Sequence, residues 1–196
     1  MSVVIVRYNA GNVCSVANAL ERLGERYLIS DTPDEILSAD RVIFPGVGEA
    51  GSAMAHLREQ GLDAVLRGVK APFLSICLGL QLLAESSEEN DATCLGIIPG
   101  RNERFKLPRK VPHVGWSVIE TTREHPVLAG IPSGSYFYFV HSYRLPVVPE
   151  TIASCAYEET FSAAVASSNC IGVQFHPEKS AANGEKLLKN FLRWSV

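Results

Sequence analysis

The chain has 196 residues, 46% of them hydrophobic, which is enough to fill one core and too few for two full domains. Lysine and arginine number 18 against 21 aspartates and glutamates, a formal charge of -3 without a basic cluster, so neither nucleic acid nor an anionic membrane is an expected partner. The longest mostly apolar stretch, residues 71–84, contains Ser75 and Gln81 and falls short of the roughly 18 to 20 residues that cross a bilayer.

Met1-Ser2 leads directly into an apolar run, without the charged region and small-residue cleavage site of a secretory leader. That run, Val3–Val6, is continuously β-branched, as in a strand buried on both faces. Residues 15–23 place Val16, Ala19, Leu20 and Leu23 at helical spacing, with Gly24 as a stop. A strand at 27–30, a short helix opening at Pro33 and a strand at 42–44 follow. Helical segments over 52–69, a strand at 72–76 and a helix at 78–84 complete the first half. This alternation predicts an α/β fold with a mostly parallel central sheet flanked by helices.

From 95 to 173 the runs become short and strand-like, punctuated by Pro and Gly, at 114–120, 136–140, 151–157, 163–166 and 171–174. They predict antiparallel strand additions in the C-terminal half. A last helix over 184–194 carries Leu187, Leu188, Phe191 and Leu192 on one face. With no repeat, low-complexity tract or linker, residues 1–196 are expected to form a single domain. Five cysteines, an odd number with no C-x-x-C pair, fit neither a disulfide framework nor a zinc site. A cytoplasmic location is expected, with no metal and no cofactor.

Three motifs carry the chemistry. Gly46-Val47-Gly48-Glu49-Ala50-Gly51 has the G-x-G-x-x-G form of a dinucleotide-binding turn. That use calls for an acidic ribose ligand at the end of the next strand, where this chain has a cysteine instead. A plain glycine turn, or a backbone cradle for another anion, are the other readings. Ser75-Ile76-Cys77-Leu78-Gly79-Leu80-Gln81 passes from an apolar strand through a sharp bend into a helix, the shape of a nucleophile elbow with sulfur in place of oxygen. Gly79 lets that helix pack close to the strand. The first helical N–H groups favour a thiolate, and such sites lower a cysteine pKa from about 8.5 to roughly 3.5–7.5. The other reading of Cys77 is a buried structural cysteine, which is the expectation for Cys14, Cys94, Cys155 and Cys170.

His176-Pro177-Glu178 follows the strand at 171–175. Residues two apart in extended chain project to the same side, so an imidazole base and an orienting carboxylate are presented together. His56, His113, His125 and His141 lack such a companion and are read as packed or surface residues. A thiolate attacking an amide or acyl carbon creates an oxyanion, which calls for two aimed N–H donors. The Leu78 N–H is one, and the glycine turn supplies the other at Val47. Flanking glycines leave the Val47 peptide free to rotate, so the hole would form on demand.

The motifs PGVG at 45–48, CLGLQ at 77–81 and HPE at 176–178, in this order and spacing, resemble the class I (triad) glutamine amidotransferases. Further stretches resemble the family of glutaminase subunits of imidazole glycerol phosphate synthase. They are Gly11-Asn12 with Ser15-Val16 and Ala19-Leu20, then Pro112-His113-Val114-Gly115-Trp116, the run from Tyr136 to Tyr143, and His176-Pro177-Glu178-Lys179-Ser180. The resemblance implies that Cys77 attacks the side-chain amide of L-glutamine, with His176 as acid and base and Glu178 as its orienter. It implies glutamine-binding positions at Gly46, Gly48, Gln81, Ser142 and Tyr143. It also implies a heterodimer with a β/α-barrel cyclase subunit, which takes the ammonia to form imidazole glycerol phosphate and AICAR in histidine biosynthesis. Trp116, Tyr138 and Lys179 match the face that meets the barrel. Three positions depart from the family pattern: Ser75 for glycine, Ser117 for asparagine, and the first loop, Arg7-Tyr8-Asn9-Ala10-Gly11-Asn12. Serine is small enough for the elbow to form.

Overall fold

A computed structural model describes residues 1–9, 12–106 and 110–196. Ala10 and Gly11 of the first loop lie outside the described residues. The first half alternates strand and helix: β1 (Val3–Val6), α1 (Val13–Arg22), β2 (Leu28–Ser30), α2 (Pro33–Leu37), β3 (Arg41–Gly46), α3 (Ala50–Glu59), α4 (Leu62–Gly68), β4 (Phe73–Cys77) and α5 (Leu78–Leu83). In β1 all four residues are buried, Val3 and Ile5 in one core and Val4 and Val6 in the other. Alternate side chains of a strand point to opposite faces, so an unbroken apolar run marks a strand with a core on each side.

The helical segments predicted over 52–69 are two helices, separated at Gly61, whose φ of +68° is left-handed and ends the first of them. The start of α3 is set by Glu49, whose carboxylate accepts from the backbone N–H of Gly51 and Ser52. That bond takes the end of the G-x-G-x-x-G turn as a helix cap.

The second half contains β5 (Ser86–Ser87), β6 (Ala92–Thr93), β7 (Arg101–Arg104), β8 (His113–Thr121), β9 (Ser135–His141), β10 (Tyr143–Arg144), β11 (Thr151–Ala156), β12 (Thr160–Ser167), β13 (Cys170–Val173) and α6 (Ala181–Arg193). Among the described residues the main sheet has nine strands in the order β2-β1-β3-β4-β13-β12-β11-β8-β9. Pairing is parallel from β2 to β13 and antiparallel beyond it, as the change of pattern predicts. A second, four-stranded sheet, β10-β7-β5-β6, was not foreseen, because three of its strands are only two residues long and carry no period to read. No helix among the described residues is long and apolar enough to cross a membrane.

One core packs α1 and α6 against the sheet and the other packs α2 to α5, so helices flank both faces. Leu187, Leu188, Phe191 and Leu192 of α6 are buried as a stripe, as predicted. Cys94, Cys155 and Cys170 are buried in the cores, as expected, and all five cysteines are free. Cys14 departs from its expectation: it is exposed, on the outward side of α1, while Val16 and Ala17 turn inward.

Register decides what the sheet can carry. Gly46 of β3 pairs with Cys77 of β4, and Val173 of β13 pairs with Ile76, so three parallel strands end together. The turn after β4 is tight because Gly79 sits against β3, where a side chain would overlap the Phe44 carbonyl oxygen and press on Ser75. Gly79→Ala is therefore expected to destabilise the protein by about 1–3 kcal/mol, the cost of overpacking. Urea unfolding measures it, and an unchanged midpoint would mean that α5 can move away from β3 freely.

Candidate active site

Cys77 ends β4 with φ 54° and ψ -109°, a conformation that residues with a side chain seldom adopt. The strain persists because both neighbours are committed: β4 is fully buried between β3 and β13, and α5 begins at the next residue. The bend survives with Ser75 in place of glycine. It lifts the thiol out of the sheet at its carboxyl edge, where open α/β sheets bind their ligands. There the sulfur lies 3.8 Å from the Val140 carbonyl and 3.7 Å from the Gln174 amide nitrogen.

His176 reaches the same place from β13. Its backbone N–H donates to the Tyr138 carbonyl at 2.9 Å, and its ring is buried. Nδ1 lies 2.7 Å from Glu178 Oε1 and donates its proton there, which turns Nε2 toward Cys77. Residues 176–178 are not the extended stretch that the sequence suggests. Pro177 opens a single 3₁₀ turn, Pro177–Lys179, and that turn folds the carboxylate back onto the ring. The turn is clamped by Ser180, whose hydroxyl donates to the His176 carbonyl at 2.6 Å, and by Gly184, whose bare Cα leaves room for the Pro177 carbonyl.

Burial opposes a charged imidazole, but Cys77 and Glu178 together outweigh it and push the His176 pKa up to about 10. The protonated ring is thereby favoured. Nε2 forms no conventional hydrogen bond among the described residues, and its electrostatic partner is the sulfur. This is the arrangement for delivering a proton at the point where sulfur has attacked.

Asn12, a residue to which the sequence assigned no role, completes the group. Its Nδ2 donates to Glu178 Oε1 at 2.6 Å and lies 3.3 Å from His176 Nδ1. It is buried just before α1, 166 residues ahead of Glu178 in the chain. Its signal in the sequence was the Gly11-Asn12 pair of the first loop, which carried the family resemblance and no role. Tyr8, in the same loop, is also buried; its hydroxyl has no hydrogen bond among the described residues, and it occupies the space that a side chain on Gly46 would need.

A cavity of about 320 Å³ opens over the sulfur. Val47, Gly48, Leu78, Gln81, Ser142 and Tyr143 line it beside Cys77, so seven of the expected residues converge. Gly46 lies behind this wall, held against Tyr8 and Leu78. Gly48 is exposed with φ +115°, a backbone conformation that favours glycine. Gln81 spends both amide protons inside the protein, on the Tyr143 carbonyl at 2.8 Å and on Gln174 Oε1 at 3.1 Å. Its own carbonyl oxygen is what remains to offer a ligand.

Glu89 is a second residue missed by sequence reading. It lines the cavity and accepts from the Ala50 N–H at 2.7 Å. Burial raises its pKa, opposed by the Ala50 N–H and aided by neighbouring Glu49. Nothing local distinguished it from Glu88 beside it. The two histidines bordering strands, His113 and His141, are buried in a cluster of aromatic rings. His125 caps the turn Pro126–Leu128 by accepting from the Val127 N–H, and His56 is on α3, as expected.

Two of the three residues matched to a partner face also meet. Trp116 on β8 stands opposite Tyr138 on β9, with ring centroids 6.1 Å apart, and Lys179 is exposed on the turn beside Glu178. Val114, Trp116 and Tyr136 are each more than half exposed, a concentration of large apolar side chains on one strand pair.

A thiol at a strained elbow, a buried imidazole held by a carboxylate and an adjoining cavity define a cysteine-dependent acyl-transfer site. A family model for class-I glutamine amidotransferases matches residues 5–194, and the chain belongs to that family. It is 49% identical over 197 residues to the imidazole glycerol phosphate synthase subunit HisH of Shewanella sediminis, covering 97% of this chain and 90% of that one. It is 48% identical over 209 residues to the HisH subunit of Methylococcus capsulatus, covering 98% and 96%. Within the family the chain therefore falls among the HisH subunits. The fold is shared more widely. A crystal structure of a glutamine amidotransferase superposes with a TM-score of 0.75 at 20% identity, covering 97% of this chain and 96% of the other. That of a glutamine amidotransferase from Thermotoga maritima gives 0.65 at 17% identity, covering 98% and 82%.

The Asn12 contact has a measurable consequence. A hydrogen bond to a charged group is worth roughly 1.5–3 kcal/mol, so Asn12→Ala should slow glutamine turnover about tenfold to a hundredfold. Steady-state glutamate release checks this. An unchanged kcat would mean that Glu178 holds the ring without help.

Proposed function

We propose that this chain hydrolyses L-glutamine at Cys77 and passes the ammonia to a β/α-barrel cyclase subunit, together forming an imidazole glycerol phosphate synthase. The observation that carries the reading is the line Glu178, His176, Cys77 ending at the cavity. Glutamine enters with its side-chain carboxamide over the sulfur. Cys77 attacks the carboxamide carbon, and the tetrahedral oxyanion is met by the N–H groups of Leu78 and Val47. Loss of one such donor costs about a hundred- to a thousandfold in related chemistry.

His176 then gives its Nε2 proton to the departing nitrogen. The C–N bond breaks, ammonia leaves and a glutamyl thioester remains. Water adds to the thioester as His176, now neutral, takes its proton, and glutamate departs with the sulfur restored. Glu178 stabilises the imidazolium in both halves, and Asn12 holds Glu178. Gln81 and Glu89 turn acceptor oxygens toward the cavity, which suits the ammonium of an amino acid, while the Ser142 and Tyr143 segment borders the remainder.

Trp116, Tyr138 and Lys179 form the docking face for the cyclase. Tyr138 links that face to the site, since its carbonyl holds the His176 backbone. The five free cysteines suit a reducing cytoplasm.

Cys77→Ala should abolish synthesis driven by glutamine while free ammonium still supports the complex. Assay of the complex with each nitrogen source checks this, and surviving glutamine-driven synthesis would refute the nucleophile assignment. Trp116→Ala should weaken association with the cyclase by about thirtyfold, the equivalent of roughly 2 kcal/mol for a central aromatic anchor. Titration calorimetry against the cyclase measures it, and an unchanged Kd would place the interface elsewhere.

A further inference from the structure

Two buried histidines and a serine remain that the proposed chemistry does not use. Ser117 Oγ lies 2.8 Å from His113 Nε2, His113 Nδ1 lies 3.0 Å from His141 Nε2, and His141 Nδ1 lies 2.8 Å from the Tyr143 carbonyl oxygen. His113 is stacked on Tyr157 at 4.0 Å, and His141 is packed against Phe105 and Phe161 at 5.2 and 5.1 Å, so neither ring is free to turn.

Donor and acceptor arithmetic gives this chain a direction. A carbonyl can only accept, so His141 Nδ1 carries a proton. Burial first, then the neighbouring His113 and His176, overcome the contrary pull of the Tyr143 carbonyl and push the His141 pKa down to about 3. His141 is therefore neutral, and its Nε2 accepts. His113 must donate to it from Nδ1, and Nε2 of His113 faces the Ser117 hydroxyl.

The far end lies in the glutamine cavity. The Tyr143 carbonyl has two lone pairs, and both are engaged, one by His141 and the other by Gln81 Nε2 at 2.8 Å. His141 itself lines the cavity wall. The near end lies on β8 beside exposed Trp116. Resting on the glutaminase reading above, we propose that Ser117, His113 and His141 are positioning residues: a one-way hydrogen-bond relay that pins the Tyr143 carbonyl and thereby aims Gln81 at bound glutamine.

This assigns a purpose to a departure from the family pattern. Asparagine, which the resemblance sets at 117, offers a donor as serine does, the amide N–H in place of the hydroxyl. The relay requires a donor there and not a particular side chain. Ser117→Ala removes the donor, and Ser117→Asn supplies it again.

The test uses the full chain with its cyclase partner. In Ser117→Ala, KM for glutamine should rise roughly five- to tenfold with kcat within about twofold, the size expected for one hydrogen bond's influence. Ser117→Asn should return KM to the wild-type value. Nitrogen-15 NMR of the imidazoles should show both rings neutral and protonated at Nδ1 in the wild type, with the His113 signals alone strongly shifted in Ser117→Ala. An unchanged KM in Ser117→Ala, a KM in Ser117→Asn that stays raised, or a His141 ring protonated at Nε2 would each overturn the relay. If the wild-type complex releases no glutamate, the glutaminase reading falls, and the ring protonation pattern by itself upholds or overturns the hydrogen-bond direction.

Discussion

The site depends on three parallel strands ending at the same level. β3, β4 and β13 are hydrogen-bonded in a register that sets Gly46 beside Cys77 and Val173 beside Ile76. In a parallel sheet the carboxyl ends share one edge, so the glycine turn, the elbow and the HPE turn all leave from that edge. A slip of one residue in either pairing would invert the side chains of a strand and move its terminal group away from the other two. The apolar residues that fix the register, Ile43, Phe44, Leu74, Ile76, Ile171 and Val173, are buried in the two cores. The hydrophobic cores therefore set catalytic geometry as well as stability.

Given that register, the chemistry is arranged by what is strained and what is buried. Cys77 is held at positive φ between two elements that cannot yield, and Gly79 is there so that α5 can follow without collision. The charged form of His176 is favoured despite its burial, because Cys77 and Glu178 compensate the lost hydration. Glu178 Oε1 takes hydrogen bonds from both His176 and Asn12, and that sharing confines the carboxylate to one position. Buried polar groups are costly when unpaired and rigid when paired. The same physics that limits their number makes them accurate supports for a reacting group.

The cavity and the apolar strand pair β8 and β9 are joined by backbone. Tyr138 presents its ring to the exposed patch and its carbonyl to His176. The Ser180 hydroxyl reaches back from the HPE turn, accepting from the Tyr138 N–H and donating to the His176 carbonyl. Whatever covers Trp116 and Tyr138 thus presses on a strand that directly holds His176. The exposed apolar patch and the buried imidazole are thus one strand apart, with few intervening bonds between them.

Much of this was legible in the residues. Strand and helix alternation, the change to antiparallel pairing, and the elbow all follow from local periods and from small residues at fixed offsets, as at Gly79 and Cys77. The HPE motif was legible as a pair of groups, although the extended geometry read from it was a 3₁₀ turn, since Pro177 admits both and the packing of α6 at Gly184 chose between them. The four-residue strand β7 and its two-residue neighbours could not be read because a period needs length to be visible. Cys14 was misplaced because one residue of helical phase separates the buried face of α1 from the exposed one. By itself, then, the sequence determined which elements form and which residues bear chemistry, because propensity and hydrophobic period are local properties. Only the tertiary structure decided that Asn12 meets Glu178, that Glu89 faces the cavity and that Ser117, His113 and His141 fall in line, because a hydrogen bond between distant residues depends on strand register and ring packing, which leave no local pattern in the chain.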